Sequence, residues 1–114
     1  MPSQSRPSKE TSVTGLSDEL VAVVKEYASQ CGEPMREVYD QAIDEMVSRI
    51  RSGDEVVFLA TAPGLPWKAR HIRLSYDVFD RWVDASAEQR VHKSVFFLKA
   101  VRDYLASKGV EVPD

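Results

Sequence analysis

The sequence predicts a mainly α fold with a single two-stranded antiparallel β-ribbon, made from one strand–helix–helix unit that occurs twice. Three observations predict it. Residues 10–51, moved forward by 58 positions, lie on residues 68–109 without a gap: Leu16-Ser17 falls on Leu74-Ser75, Val24 on Trp82, Ala42 on Ala100 and Ile43 on Val101. An internal repeat of this kind sets the architecture before any local signal does. Each copy also passes from a short extended segment into apolar spacing of helical period. Finally, a unit of about 40 residues buries too little apolar surface to fold alone, and a lone strand leaves its backbone groups unpaired. The two copies therefore share one core, with their strands paired about a pseudo-twofold axis.

The elements follow in order. Residues 1–9 are polar, lack a hydrophobic stretch and read as a mobile tail, not a secretory signal. The first strand is expected over 11–16, and Ser17 stands where a helix N-cap belongs, with Asp18 and Glu19 in the first turn. Leu20, Val21, Val24, Tyr27 and Ala28 form the core-facing stripe of the first helix, which Gly32 ends just before Pro34. Val38, Tyr39, Ala42, Ile43, Met46, Val47 and Ile50 mark the second helix. The connector, 52–67, is long enough to run back past a helix, since sixteen residues reach about 50 Å extended. Its Val56-Val57-Phe58-Leu59 run is too apolar for a free linker and is expected on the helices, with 63–66 turning the chain. In the second copy Ile72 and Leu74 alternate with Ala69, His71 and Arg73; Ser75 caps a helix bearing Val78, Phe79, Trp82 and Ala85. Ser94 then caps a last helix with Phe96, Phe97, Ala100, Val101, Tyr104 and Leu105, stopped by Gly109.

Composition bounds the function. The chain has 114 residues, 43% hydrophobic and 29% charged, with a net charge of −3, which is ordinary for one globular domain. No apolar run approaches the roughly 18–20 residues of a membrane span. Cys31 is the single cysteine, so an internal disulfide or a cysteine-based metal cluster is excluded; it reads as a small packing residue at a helix end. A cytoplasmic location is the expectation. The charge is split: residues 10–51 hold four Lys/Arg against nine Asp/Glu, a net −5, while residues 68–109 hold nine against five, a net +4. The acidic Asp40, Asp44 and Glu45 read as a solvated helix face. No metal-ligand spacing, nucleophile elbow or glycine-rich phosphate loop is present, so neither an enzyme nor a cofactor is expected.

Leu16-Ser-Asp-Glu-Leu20, Ala28-Ser-Gln-Cys-Gly32 and Glu37-Val-Tyr-Asp-Gln-Ala42-Ile43, echoed by Leu74-Ser-Tyr-Asp-Val78 and Ser94 through Ala100-Val101, resemble the ribbon-helix-helix DNA-binding fold of the Arc and MetJ type. The resemblance covers about 80 residues. Members of that family usually pair two chains; two copies in tandem resemble the TraY type among conjugation accessory proteins. The resemblance implies double-stranded DNA as the partner, with a ribbon in the major groove whose outward side chains read bases. It also implies that the starts of the second helices hold phosphates. The base-reading set expected is Ala69, His71 and Arg73 from the second copy, with Thr11, Val13 and Gly15 from the first. A bulge at Gly15 would instead turn Ser12 and Thr14 outward. Phosphate contacts are expected from Met35 and Arg36 in one copy and from Lys93 and Ser94 in the other, near His92 and Arg90, with Arg6 and Lys9 as a basic arm.

Two functions compete at this level. One is a DNA-binding repressor or plasmid-transfer factor, acting as a monomeric pseudo-dimer that associates on DNA. The other is a protein-interaction module or antitoxin-like protein, favoured by the acidic first copy and by Val95-Phe96-Phe97-Leu98, an apolar run needing cover from the connector or a partner.

Overall fold

The computed structural model describes residues 7–58 and 69–112. The order is β1 (Ser8–Thr14), α1 (Asp18–Cys31), α2 (Met35–Arg51), β2 (Ala69–Ser75), α3 (Tyr76–Gln89) and α4 (Lys93–Ser107). The fold is mainly helical, with four helices and one two-stranded antiparallel sheet, β1 against β2. Residues 1–6, with Arg6, and the expected turn at 63–66 lie outside the described residues.

Why these helices form is visible at their ends. The Ser17 hydroxyl accepts the Leu20 N–H at 3.1 Å, and Gly32 closes α1 at φ 68, donating to the carbonyls of Ala28 and Ser29. That left-handed conformation suits glycine because it has no Cβ to clash. The α3–α4 turn uses Arg90 at φ 58 for the same purpose. The start of α4 differs from expectation: His92 is the N-cap, its Nδ1 accepting the Ser94 N–H at 3.1 Å. Ser94 therefore sits inside the first turn, buried, and its Oγ accepts the N–H of Thr14 in β1 at 3.0 Å.

One core serves every element. Val13 of β1, Leu20 and Val24 of α1, Ile43 and Met46 of α2, Leu74 of β2, Trp82 of α3 and Phe97 of α4 are all buried in a single cluster. Trp82, wholly enclosed, still satisfies its indole by donating from Nε1 to the Lys93 carbonyl at 3.0 Å. Val56 and Phe58, from the start of the connector, pack on this core; Phe58 stacks on Phe96 with ring centroids 5.3 Å apart. The apolar run in α4 is thus covered in part by the chain itself: Phe96 and Phe97 are buried, Val95 and Leu98 half-buried. Cys31 is exposed, not packed.

The acidic residues of α2 are not a solvated face. Asp40 is buried, and its carboxylate accepts the backbone N–H of Ser75 at 3.0 Å and the Ser75 hydroxyl at 2.6 Å. Ser75 keeps the N-cap position of α3 but spends its side chain on Asp40 and not on the helix. Asp44 takes Arg81 of α3 bidentately, at 2.9 and 3.1 Å. Arg49 reaches Asp103 of α4 at 3.1 Å, and Arg70 of β2 pairs with Asp18 of α1. Charged groups of the two halves of the chain therefore meet at the surface along the seam between α1 and α2 on one side and β2, α3 and α4 on the other, while the buried Asp40–Ser75 bonds join α2 to β2 inside it.

Candidate nucleic-acid interface

The ribbon is the candidate site because one of its two faces is left uncovered. Antiparallel register pairs Glu10 with Arg73, Ser12 with His71, and Thr14 with Ala69. Side chains alternate across a strand, and directly opposed residues share a face. In β2, Ile72 and Leu74 are buried while Ala69, His71 and Arg73 are exposed, as the alternation requires. In β1, Val13 has no exposure and Thr11 is half-buried, whereas Glu10 and Ser12 are exposed.

The outward face is therefore Glu10, Ser12 and Thr14 from β1, with Ala69, His71 and Arg73 from β2. Thr11 and Val13 belong to the inward face, and their expected contact with bases is corrected. The physical reason lies in the register: Thr11 opposes Ile72 and Val13 opposes Arg70, both inward residues. Gly15 lies beyond the strand, at φ 84, in the link to Ser17. It adds one residue there, whereas β2 runs directly into α3, Ser75 being both its last residue and the N-cap. The strand also starts earlier than expected, so Lys9 is part of β1 and not of a tail; its Nζ lies 4.3 Å from the centroid of the Phe79 ring.

The face carries both signs of charge. Glu10 and His71 are more than half exposed, with the Glu10 carboxylate 3.8 Å from His71 Nδ1. Arg73 donates from Nη1 to the Ser8 hydroxyl at 3.2 Å. Glu10 escaped the sequence reading because the gapless alignment starts the first strand one residue after it. Its signal was present only in the pairing register, which no single strand contains.

The helix starts flank the two ends of the ribbon. The Ser94–Thr14 bond fixes the N-terminus of α4 beside the Thr14–Ala69 end, and the Asp40–Ser75 bonds fix the first turns of α2 beside the Ser8–Ser75 end. At α4, Lys93 and His92 are exposed, and the ammonium of Lys93 sits 5.7 Å from the Trp82 ring centroid. Ser94 is buried there; its N–H is taken by His92 and its hydroxyl accepts from Thr14, so the hydroxyl proton is the one donor it keeps for a phosphate. At α2, Pro34 is the N-cap and offers no side-chain bond. Met35 and Arg36 are half-buried there; the Arg36 guanidinium lies 3.4 Å from Glu37 and 3.6 Å from Asp40. Gln41 donates to Glu33 at 3.2 Å and to Glu37 at 3.4 Å, so carboxylates already surround this helix start. The two ends differ in sign: basic at α4, acidic at α2.

Behind the ribbon, burial pushes the Tyr39 hydroxyl up to about 12, with Arg70 opposing the shift. Among the described residues no group of three or more His, Cys, Asp or Glu could hold a metal ion, and no helix is long and apolar enough to cross a membrane. Comparison with protein-family models, with curated proteins and with solved structures finds no match to this chain.

Proposed function

We propose that the chain is a tandem ribbon-helix-helix pseudo-dimer that binds double-stranded DNA, with the β1–β2 ribbon in the major groove, as a transcriptional repressor or a plasmid-transfer accessory factor. The observation that carries this reading is the outward face of the ribbon. Ser12, Thr14, His71 and Arg73 project from it as hydrogen-bonding side chains, while Val13, Ile72 and Leu74 face the core and Ala69 is the one apolar residue on the outward face. A ribbon of this width fits the major groove, where base edges present a readable donor and acceptor code.

The pseudo-twofold arrangement is supported by the numbering of the elements. From Leu16 onward an offset of 58 superposes α1 on α3 and the start of α2 on that of α4. Through the strands an offset of 59 relates Ser12 to His71, which are also direct partners, so the axis would pass through that pair. Gly15 accounts for the one-residue difference. Under this axis Thr14 corresponds to Arg73 and Glu10 to Ala69, giving two unlike half-faces. At α4 the exposed Lys93 has the charge a phosphate clamp needs; the α2 end, where Arg36 lies among carboxylates, does not.

Selection from a random duplex pool at two salt concentrations tests the reading. The expected product is a short non-palindromic motif whose affinity falls with salt, as counterion release demands. A palindrome would mean that two chains pair on DNA. No enrichment at low salt would transfer the case to a protein-interaction module, which Glu10 and the carboxylates around α2 favour.

A further inference from the structure

We propose that Glu10 and Arg73 read one G·C base pair together, the carboxylate accepting from cytosine N4 and the guanidinium donating to guanine O6 and N7; this rests on the DNA-binding reading above. The two residues are direct partners in the β1–β2 register and share the outward face, both exposed. Opposed Cβ atoms stand about 5 Å apart, less than two base-pair steps of roughly 3.4 Å, so their side chains can reach the two bases of one pair. Arg73 has five N–H donors, and its bond to Ser8 uses Nη1, leaving Nε and Nη2 to direct at a base. Glu10 is held only loosely by His71, at a separation longer than a hydrogen bond.

The carboxylate decides the partner by elimination. In a groove walled by phosphates an acidic side chain is repelled unless it meets a donor. The major groove offers amino donors only at cytosine N4 and adenine N6. With a guanidinium beside it that favours guanine, the amino group within reach on the same pair is that of cytosine. Thymine in its place would oppose O4 to the carboxylate, acceptor against acceptor. Glu10 thus fixes the orientation of the pair, guanine under β2 and cytosine under β1, as well as its identity.

The experiment uses the full chain and two duplexes. One carries the motif selected by the wild-type protein; the other replaces the cytosine opposite the Arg73-dependent guanine by 2-pyrimidinone, which lacks the N4 amine. Fluorescence anisotropy should show wild-type affinity falling about tenfold on the altered duplex, within the range of a specific base contact. Glu10→Ala should distinguish the two duplexes by less than about twofold, and should bind random DNA more tightly than wild type because a repulsive charge is gone. The pyrimidinone arm reads the unaltered protein, so it stands even if the variant behaves poorly. Equal wild-type affinity for both duplexes overturns the assignment, as does a Glu10→Ala motif identical to the wild-type motif with uniformly higher affinity. A wild-type protein that binds no duplex at low salt overturns the DNA reading and this assignment with it.

Discussion

Four side chains show how differently a polar group can serve this fold. Arg73 is exposed on the ribbon, so Arg73→Ala should leave the urea midpoint nearly unchanged while costing about 1–3 kcal/mol of binding to the selected site. Lys93→Ala should weaken specific and random DNA alike and lower the salt slope by about one. Equal losses on both DNAs for Arg73→Ala would refute its base-reading role. Asp40 is the opposite case. It is buried and satisfies both the N–H and the hydroxyl of Ser75, so Asp40→Ala leaves those donors unpaired inside the protein. Urea denaturation should show a loss of about 2–4 kcal/mol. Tyr39 supplies a pH signature. Its hydroxyl is pushed from 10.0 up to about 12 by burial, so the folded state holds that proton more tightly than the unfolded chain. The contribution is fully present below pH 10 and disappears as pH rises through 12. A shift of this size corresponds to about 2–3 kcal/mol. The stability difference between wild type and Tyr39→Phe should therefore change by about that amount between pH 9 and pH 12, in favour of the phenylalanine, when measured in urea.

At the scale of elements, the link between β1 and α1 decides what the ribbon displays. Gly15 at φ 84 occupies a conformation that costs any other residue, and Gly15→Val should destabilise the protein by about 1–2 kcal/mol in thermal or urea melts. This link is also where the sequence left two registers open, and the structure has the one in which Ser12 and Thr14 face outward. The helices were legible because each carries four or more apolar residues at regular spacing, with Ser17, Gly32, Ser75 or Gly109 as boundary signals. The first strand rests on Thr11 and Val13 alone, too few to choose between the gapless register and one with Gly15 as an extra residue before Ser17. A slip of one in a strand exchanges its faces, so an alignment off by one names the wrong triplet. Asp40 was missed for a related reason. Its partner Ser75 lies 35 positions away, on the other strand, and nothing local marks the carboxylate as buried. The bidentate Asp44–Arg81 pair was equally invisible. Because both partners are about 40% exposed, a double-mutant cycle should assign it only about 0.5–1 kcal/mol.

For the whole molecule, β1 and β2 satisfy each other and a single core joins all six elements, so sedimentation at micromolar concentration should find a monomer. An obligate dimer would mean that strands are exchanged between chains. The split of charge along the chain acquires a physical role here: Asp18 and Asp44 of the acidic half each meet an arginine of the basic half, Arg70 and Arg81, and Arg49–Asp103 adds a pair in the reverse sense. Having both strands of the ribbon in one chain has a further effect on inheritance. Where two identical chains make a ribbon, every substitution appears twice, and a change that improves one position must be tolerated at its mirror image. In this chain a codon change at Ser12 or His71 alters one point of the outward face and leaves its partner untouched. Each of the six outward positions is encoded once, so the chemistry of this face can change through single substitutions that carry no mirror-image change with them.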